Sequence, residues 1–319
     1  MKTNKTTIFL SALFIILSLC VLSCSTTKPT QNATVMLHLL SDDGSPIAGS
    51  NIMLQNNKGD SYHQTAFFDT VHFEDIPFGD YTLMVTQNGY RPYIYQNLSV
   101  HTDVVSHSAQ LSSIPEILDN IIEFGAHQWR VLDMKDDRAL IISEDVLEKR
   151  AYHATKYSED ITWEHCSLRN YLNNEFINSD AFTDADRERI IQVTNINADN
   201  PWYWKSKGGA NTLDRVFLLS VAEVVSYFGD SGQLAKPRDN YWINDEYNSN
   251  RMAKFNNEPY VWGTRTPSYY KSSKPPRDPK YNDCTVGITQ TGFIVVISGP
   301  KVNEERMGVR PAMWIRLNP

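Results

Sequence analysis

Residues 216–229 read Val216-Phe217-Leu218-Leu219-Ser220-Val221-Ala222-Glu223-Val224-Val225-Ser226-Tyr227-Phe228-Gly229. Four apolar residues in a row have the length of a buried strand. Ser220 with Glu223 three residues later is the signature of a capped helix start, and Gly229 is a helix stop. A strand that runs straight into a helix puts this part of the chain in the α+β class.

Working outward, strand-like runs recur at Gln128-Trp129-Arg130-Val131-Leu132, Ala139-Leu140-Ile141-Ile142, Phe293-Ile294-Val295-Val296 and Met313-Trp314-Ile315. Thr162 can cap a helix in which Leu168, Leu172 and Phe176 recur every fourth residue. Thr183 with Asp186 is a further capping-box-like start. All seven tryptophans lie beyond residue 128, and the composition changes at Ser112-Ser113-Ile114-Pro115. Residues 117–319 therefore read as a separate α+β unit, able to fold independently of what precedes it.

Before that break the pattern is all-β. Short alternating segments occur at Thr34–Leu39, Asn51–Leu54, Val71–Phe73, Tyr81–Val85 and Asn97–Val100. Turn chemistry separates them at Asp43-Gly44-Ser45-Pro46, Asn57-Lys58-Gly59, Pro77-Phe78-Gly79-Asp80 and Asn88-Gly89-Tyr90, the spacing of a small sandwich over residues 33–112. This unit holds two basic and eight acidic residues. Its five histidines (His38, His63, His72, His101, His107) form no pair at metal-ligand spacing, so they read as strand-face or surface residues.

The amino terminus carries an address. Lys2 and Lys5 precede an apolar run from Ile8 to Leu22, the layout of an export signal rather than of a spanning helix of about 20 residues. The run ends in Val21-Leu22-Ser23-Cys24, which resembles the bacterial lipobox, with Leu22 a departure from the usual second residue. That resemblance implies a signal peptide over 1–23, acylation of Cys24, and a bacterial cell-envelope protein held on the outer membrane or cell surface by lipid. Residues 24–32, small and polar, read as a flexible tether. Loss of Lys2 and Lys5 takes the charge from −7 to −9, which leaves no positive field for nucleic acid.

Two further resemblances follow from motifs. Asp43-Gly44-Ser45-Pro46-Ile47-Ala48-Gly49, Phe73-Glu74-Asp75-Ile76-Pro77-Phe78-Gly79-Asp80-Tyr81 and Gly89-Tyr90 follow the order of the carboxypeptidase-regulatory-like, transthyretin-like β-sandwich family, which implies a spacer or adhesion scaffold. Phe124-Gly125, Trp129-Arg130-Val131-Leu132-Asp133, Ala139–Glu144, Thr162-Trp163-Glu164 with Ser167-Leu168-Arg169, Val216–Ser220 and Gly308-Val309-Arg310-Pro311-Ala312-Met313-Trp314-Ile315 resemble the bacterial family called domain of unknown function 6273. Trp262-Gly263-Thr264-Arg265-Thr266-Pro267-Ser268 keeps only the Trp, Arg and Pro of that family's loop. The family resembles C-type-lectin-like folds, the scaffold of formylglycine-generating enzymes and of variable ligand binders, an analogy of fold that says little about chemistry.

No catalytic constellation stands out. Lys207-Gly208-Gly209-Ala210 lacks the P-loop frame, there is no Gly-x-Ser-x-Gly elbow, and Glu164-His165-Cys166 has no second ligand pair at zinc spacing. Hence neither metal nor cofactor is expected. Cys166 and Cys284 are free to form a disulfide in an oxidising compartment or to stay as buried thiols. The span from Asn200 to Asn282 mixes rings with Asn, Asp, Lys and Arg, a composition suited to sugars or a protein partner. Trp202, Trp204, Tyr241 and Trp242 are its candidate binding residues, and the alternative is that these rings pack as core beneath long loops.

These features lead to a lipid-anchored protein that binds a glycan, a peptide or another envelope protein through its second unit. A formylglycine-generating type of enzyme, marked by a cysteine pair in a concave site, and a purely structural surface protein are the alternatives. Intact-mass spectrometry of the membrane fraction should give a mature chain that begins at Cys24 and carries acyl mass. A mature terminus elsewhere would contradict the lipobox reading.

Overall fold

The computed structural model describes residues 31–58, 60–114, 121–155, 161–235, 241–270 and 282–317. The expected signal peptide, Cys24 and most of the tether lie outside these residues. Seven strands form the first unit: β1 (Asn32–Ser41), β2 (Asn51–Asn56), β3 (Ser61–Thr65), β4 (Thr70–Pro77), β5 (Gly79–Thr86), β6 (Tyr93–Val100) and β7 (Val104–Leu111). A three-stranded sheet in the order β4-β1-β7 and a four-stranded sheet in the order β3-β2-β5-β6 share one core. In β1 every second residue from Ala33 is buried, so Val35, Leu37 and Leu39 face the other sheet. Two strands escape the sequence reading: β3, Ser-Tyr-His-Gln-Thr, and β7 carry too few apolar residues for their alternation to register.

The rest of the chain uses shorter strands. In order they are β8 (Ile121–Phe124), β9 (His127–Lys135), β10 (Arg138–Ser143), β11 (Glu148–Lys149), β12 (Ile190–Ile191), β13 (Val193–Asn195), β14 (Thr212–Asp214) and β15 (Trp242–Ile243). They continue with β16 (Ala253–Phe255), β17 (Glu258–Tyr260), β18 (Trp262–Ser268), β19 (Cys284–Ile288), β20 (Ile294–Val295), β21 (Gly308–Val309) and β22 (Ala312–Arg316). A five-stranded sheet runs β12-β22-β10-β9-β8 and a six-stranded sheet runs β11-β21-β18-β19-β20-β15. Between them lie the short helices α1 (Ser167–Tyr171), α2 (Asp184–Arg189), α3 (Val221–Phe228) and α4 (Asn248–Arg251).

The capping boxes at Thr183 and Ser220 form as read, and α3 stops at Gly229 with φ +92°. Thr162 is different. A single 3-10 turn, Trp163–His165, follows it without a side-chain cap, and Cys166 turns extended before α1 begins. The cause is Trp163, which is buried with its indole N–H donating to Asp214 at 2.9 Å. After α1 the chain widens into a π-helical turn, Leu172–Phe176, where the Asn173 amide donates to the Arg169 carbonyl at 3.1 Å, the acceptor an α-helix would have used. Leu168, Leu172 and Phe176 are nevertheless all buried, as their spacing predicts.

Val216–Leu219 is buried throughout but is not a ladder strand. Phe217 exchanges both backbone bonds with Ala312 of β22 at 2.9 and 2.7 Å, and the Leu219 carbonyl accepts from the Arg265 N–H of β18 at 3.0 Å. This stretch therefore ties the five-stranded sheet to the six-stranded one. It then leads into α3, which packs on β18 and on β5 of the first unit.

That last contact brings the two units together. In β2 and β5, Ile52, Leu54, Leu83 and Val85 face the sandwich core, whereas the cross-strand pair Met53 and Met84 belongs to the core of the second unit, with Ile94 packed against it. Asp133, with no exposed side chain, accepts both nitrogens of the Arg91 fork, one at 2.6 Å, and the Tyr227 hydroxyl at 3.4 Å. Replacing Arg91 by Ala would leave that carboxylate buried and unpaired, a loss of about 3 kcal/mol or more in equilibrium denaturation. The double change Arg91→Ala with Asp133→Leu should recover part of it. A loss below about 1 kcal/mol for the single variant would show that the pair does not hold the interface.

Candidate functional site

The six-stranded sheet carries a cleft of about 680 Å³ on one face. It exists because the chain after β20 doubles back tightly over β19. The Thr285 N–H donates to the Pro300 carbonyl at 2.9 Å, and Lys301 bridges to Cys284. Only glycine permits this approach: a Cβ on Gly287 would lie 2.3 Å from the Pro300 ring, and one on Gly299 2.1 Å from the Thr285 carbonyl oxygen. Ile288, Val295, Pro300 and Met307 make the wall apolar, and Tyr260 adds a ring.

Polar groups stand around this surface. Gln290 and the hydroxyls of Thr289 and Thr291 come from the turn between β19 and β20, Glu304 and Arg306 from the loop before β21. The turn is pinned by Thr289, whose hydroxyl accepts the Phe293 N–H at 3.0 Å and pairs with the Thr291 hydroxyl at 3.0 Å. Tyr260 is held at both ends. Its hydroxyl donates to the Arg306 carbonyl at 3.1 Å, and the Lys149 ammonium sits 4.6 Å from its ring centroid. Among the described residues neither the Gln290 amide nor the Arg306 guanidinium has a hydrogen bond or ion pair, so both are available to a ligand. Ser298, also lining the cleft, holds a left-handed φ of +64° while its N–H donates to the Tyr269 carbonyl at 3.0 Å. For a residue with a Cβ this conformation is strained.

The four aromatic residues singled out in the sequence fall in different environments. Trp242 is exposed, at 43%, and lies directly across from Val295, so its side chain shares the face of the sheet that bears the cleft. Trp202 is half-buried: its indole N–H donates to the Leu234 carbonyl at 2.8 Å and its ring packs on the core. Trp204 is half-buried between the ammonium groups of Lys205 and Lys207, 5.7 and 5.6 Å from the ring. Tyr241 is half-buried, with its carbonyl accepting from Val296 and Ile297 at 2.9 and 3.2 Å.

The structure does draw their segments together at β20. Asn200, at the start of the Trp202 loop, donates to the Val296 carbonyl at 2.9 Å, and the Tyr203 and Tyr269 rings meet at a tilt of 38° with centroids 3.8 Å apart. Gln290, Thr289, Thr291, Ser298, Glu304 and Arg306 went unremarked in the sequence. The one local signal was Thr289-Gln290-Thr291-Gly292, turn chemistry before an apolar run, which projects a carboxamide from a hairpin tip.

Cys166 and Cys284 are both free and buried, so the bridge left open by the sequence is not formed. Cys166 lies beside Tyr152, where burial pushes its thiol up to about 12. Burial also raises Cys284, reinforced by Asp283. Neither lines the cleft, which is where a reactive pair would have to sit. Among the described residues no three His, Cys, Asp or Glu side chains cluster to hold a metal, and no helix is long and apolar enough to cross a membrane.

With this geometry in hand, comparison with known proteins places the chain. A family model described as Domain of unknown function (DUF6273) matches residues 136–317, more than half of the chain, and the chain belongs to that family. No curated protein matches it. Among solved structures it is similar to a DUF4876 family protein from Bacteroides thetaiotaomicron, at 13% identity and a TM-score of 0.24, over 40% of this chain and 39% of that one. It is also similar to an interface mutant of a type II cohesin–X-dockerin complex from Acetivibrio cellulolyticus, at 18% identity and a TM-score of 0.21, over 26% of this chain and 58% of that one. The chain thus spans well under two thirds of either, and likeness at these scores assigns no ligand.

The two environments of tryptophan separate by truncation. Trp202→Ala should cost about 2 to 3 kcal/mol of stability through its lost packing and indole bond. Trp242→Ala should change stability by less than about 0.5 kcal/mol. Thermal melts of the two variants check this, and an equal loss in both would put Trp242 in the core.

Proposed function

We propose that this chain is a lipid-anchored protein of the bacterial envelope, acylated at Cys24, with a transthyretin-like sandwich over 33–112 and a C-type-lectin-like unit over 117–319 that binds a glycan in the cleft. The address rests on the charged n-region, the apolar run and the Ser23-Cys24 ending. The unit boundaries and the lectin-like scaffold rest on the motif resemblances and on the composition change at Ser112–Pro115.

The observation that carries the binding reading is the pairing of an apolar, ring-bearing wall with an unengaged carboxamide and guanidinium, beside the exposed Trp242 on the same sheet face. A pyranose offers apolar C–H faces and a rim of hydroxyls. The first suits Tyr260 and Trp242, the second suits Gln290, Arg306, Thr289 and Thr291. An extended glycan could reach from the cleft across Val295 to Trp242.

The test is a screen of bacterial envelope polysaccharides and their oligosaccharides against the mature chain, followed by calorimetry on any hit. Gln290→Ala and Arg306→Ala should each weaken binding about tenfold, equivalent to about 1.4 kcal/mol, with melting temperature unchanged. A glycan that binds the double variant with undiminished affinity would remove the cleft from this function.

A further inference from the structure

The first unit carries an apolar feature that nothing among the described residues covers. Phe67 and Phe68, consecutive residues in the short link between β3 and β4, are 79% and 76% exposed. Each ring leaves most of its apolar surface in water, and two adjacent ones make a contiguous patch of the kind that marks a contact site. The link is no loose loop. Its base is fixed by Ala66, fully buried, which exchanges backbone bonds with Gly49 and Ser50 at 2.6 and 2.8 Å, and its far side by the Leu39 N–H on the Asp69 carbonyl at 2.6 Å. The two rings are presented on a rigid tip.

Charge narrows what the tip can meet. It lies at the Ser41 end of β1, since His38 pairs with Thr70, with exposed Asp69 beside it and exposed Asp42 and Asp43 in the turn that follows β1. The sandwich unit has only two basic residues. Lys58 sits in the turn after β2 at the opposite end, where Asn56 pairs with Tyr81, and Arg91 is consumed by Asp133. The charged side chains that the described residues of this unit place at the Phe67–Phe68 end are therefore acidic. A tip-to-tip dimer would bring like charges together, and an anionic lipid surface would be repelled. We infer that the Phe67–Phe68 tip is a docking knob for a partner protein whose receiving pocket is apolar and rimmed by Lys and Arg. The tip also stands about 30 Å along β1 from Asn32, which aims it away from the end where the tether joins.

The experiment places p-benzoylphenylalanine at position 68 of the full chain in the bacterium that makes it, followed by irradiation and mass spectrometry of adducts. The expected result is one protein adduct whose cross-linked peptide contains apolar residues beside Lys or Arg. That protein, once purified, should bind the mature chain at least tenfold more weakly when Phe67→Ser and Phe68→Ser are combined, a hot-spot loss. Asp42→Asn with Asp69→Asn should weaken it severalfold and flatten its salt dependence. Because all four side chains are exposed, the variants should melt as the parent does. Adducts to lipid alone, to a second copy of the chain, or to no protein would overturn the inference, as would a partner indifferent to the aspartates. None of these outcomes bears on the glycan reading, which concerns the other unit.

Discussion

The second unit hangs on one buried ion pair. Arg265, 4% exposed on β18, reaches both oxygens of Glu223 and the Leu218 carbonyl, the latter at 2.7 Å. Glu223 is at the same time the capping residue of α3, accepting the Ser220 N–H at 2.7 Å. One carboxylate thus fixes the start of the helix and neutralises a guanidinium that the core has taken out of water. Loss of either partner would strand the other, at a cost of about 3 to 5 kcal/mol. The two sheets that Val216–Leu219 joins include several strands of only two residues, and ladder bonds alone cannot hold them in place. Arg310 answers the same need. Fully buried between the Phe228 and Trp262 rings, it donates to the Ser143 and Glu144 carbonyls at 2.8 and 3.0 Å, and burial lowers its guanidinium to about 10.

The second constraint is the shared face of β2 and β5. A half-exposed sandwich sheet reads as alternation of apolar and polar side chains, and Met53 and Met84 read as surface by that rule, being out of phase with Ile52, Leu54, Leu83 and Val85. They are instead buried, at 2% and 5%, because α3 and its neighbours cover that face. With Arg91 on Asp133 and the Gln96 amide carbonyl accepting from Asn211 at 3.2 Å, the sandwich is continuous with the second unit's core along one side. A spacer between lipid and ligand would need no such seam. The joint gives the tip at Phe67 and Phe68 a fixed direction relative to the sheet that bears the cleft.

How much of this was legible depends on how far each signal reaches along the chain. Caps are local: Thr183 with Asp186 and Ser220 with Glu223 could be read because donor and acceptor lie three residues apart. Thr162 precedes a helical spacing but has His165 rather than an acid three residues on, and it caps nothing, since Asp214, fifty-two residues later, claims the Trp163 indole. Family membership was readable from scattered motifs, whereas the cleft was not. Its wall and rim come from β17, β19, the following turn, β20 and two loops, so no window of sequence contains the pattern. The aromatic span was visible as composition, but composition does not separate Trp242, which stands clear, from Trp202, whose N–H is committed to Leu234.

The contrast among arginines bears on why the cleft is the place to look. Arg91, Arg169, Arg251, Arg265 and Arg310 each engage a carboxylate, carbonyl or ring, which offsets the cost of withdrawing a guanidinium from water. One nitrogen each of Arg251, Arg265 and Arg310 stays buried without a hydrogen bond among the described residues. An unmatched Arg306 is in itself unremarkable, because water satisfies an exposed guanidinium at little cost. Its meaning comes from position: it stands with Gln290 over an apolar concavity that glycine-dependent packing keeps open and that a left-handed Ser298 helps to shape. A side chain at 287 or 299 would collide with the Pro300 ring or the Thr285 carbonyl, so glycine at both positions is what lets the returning chain lie close on β19 and form the cleft wall. The space bounded in this way, about 680 Å³ with an apolar wall and a polar rim, has the size and chemistry of a ligand site rather than of a packing defect.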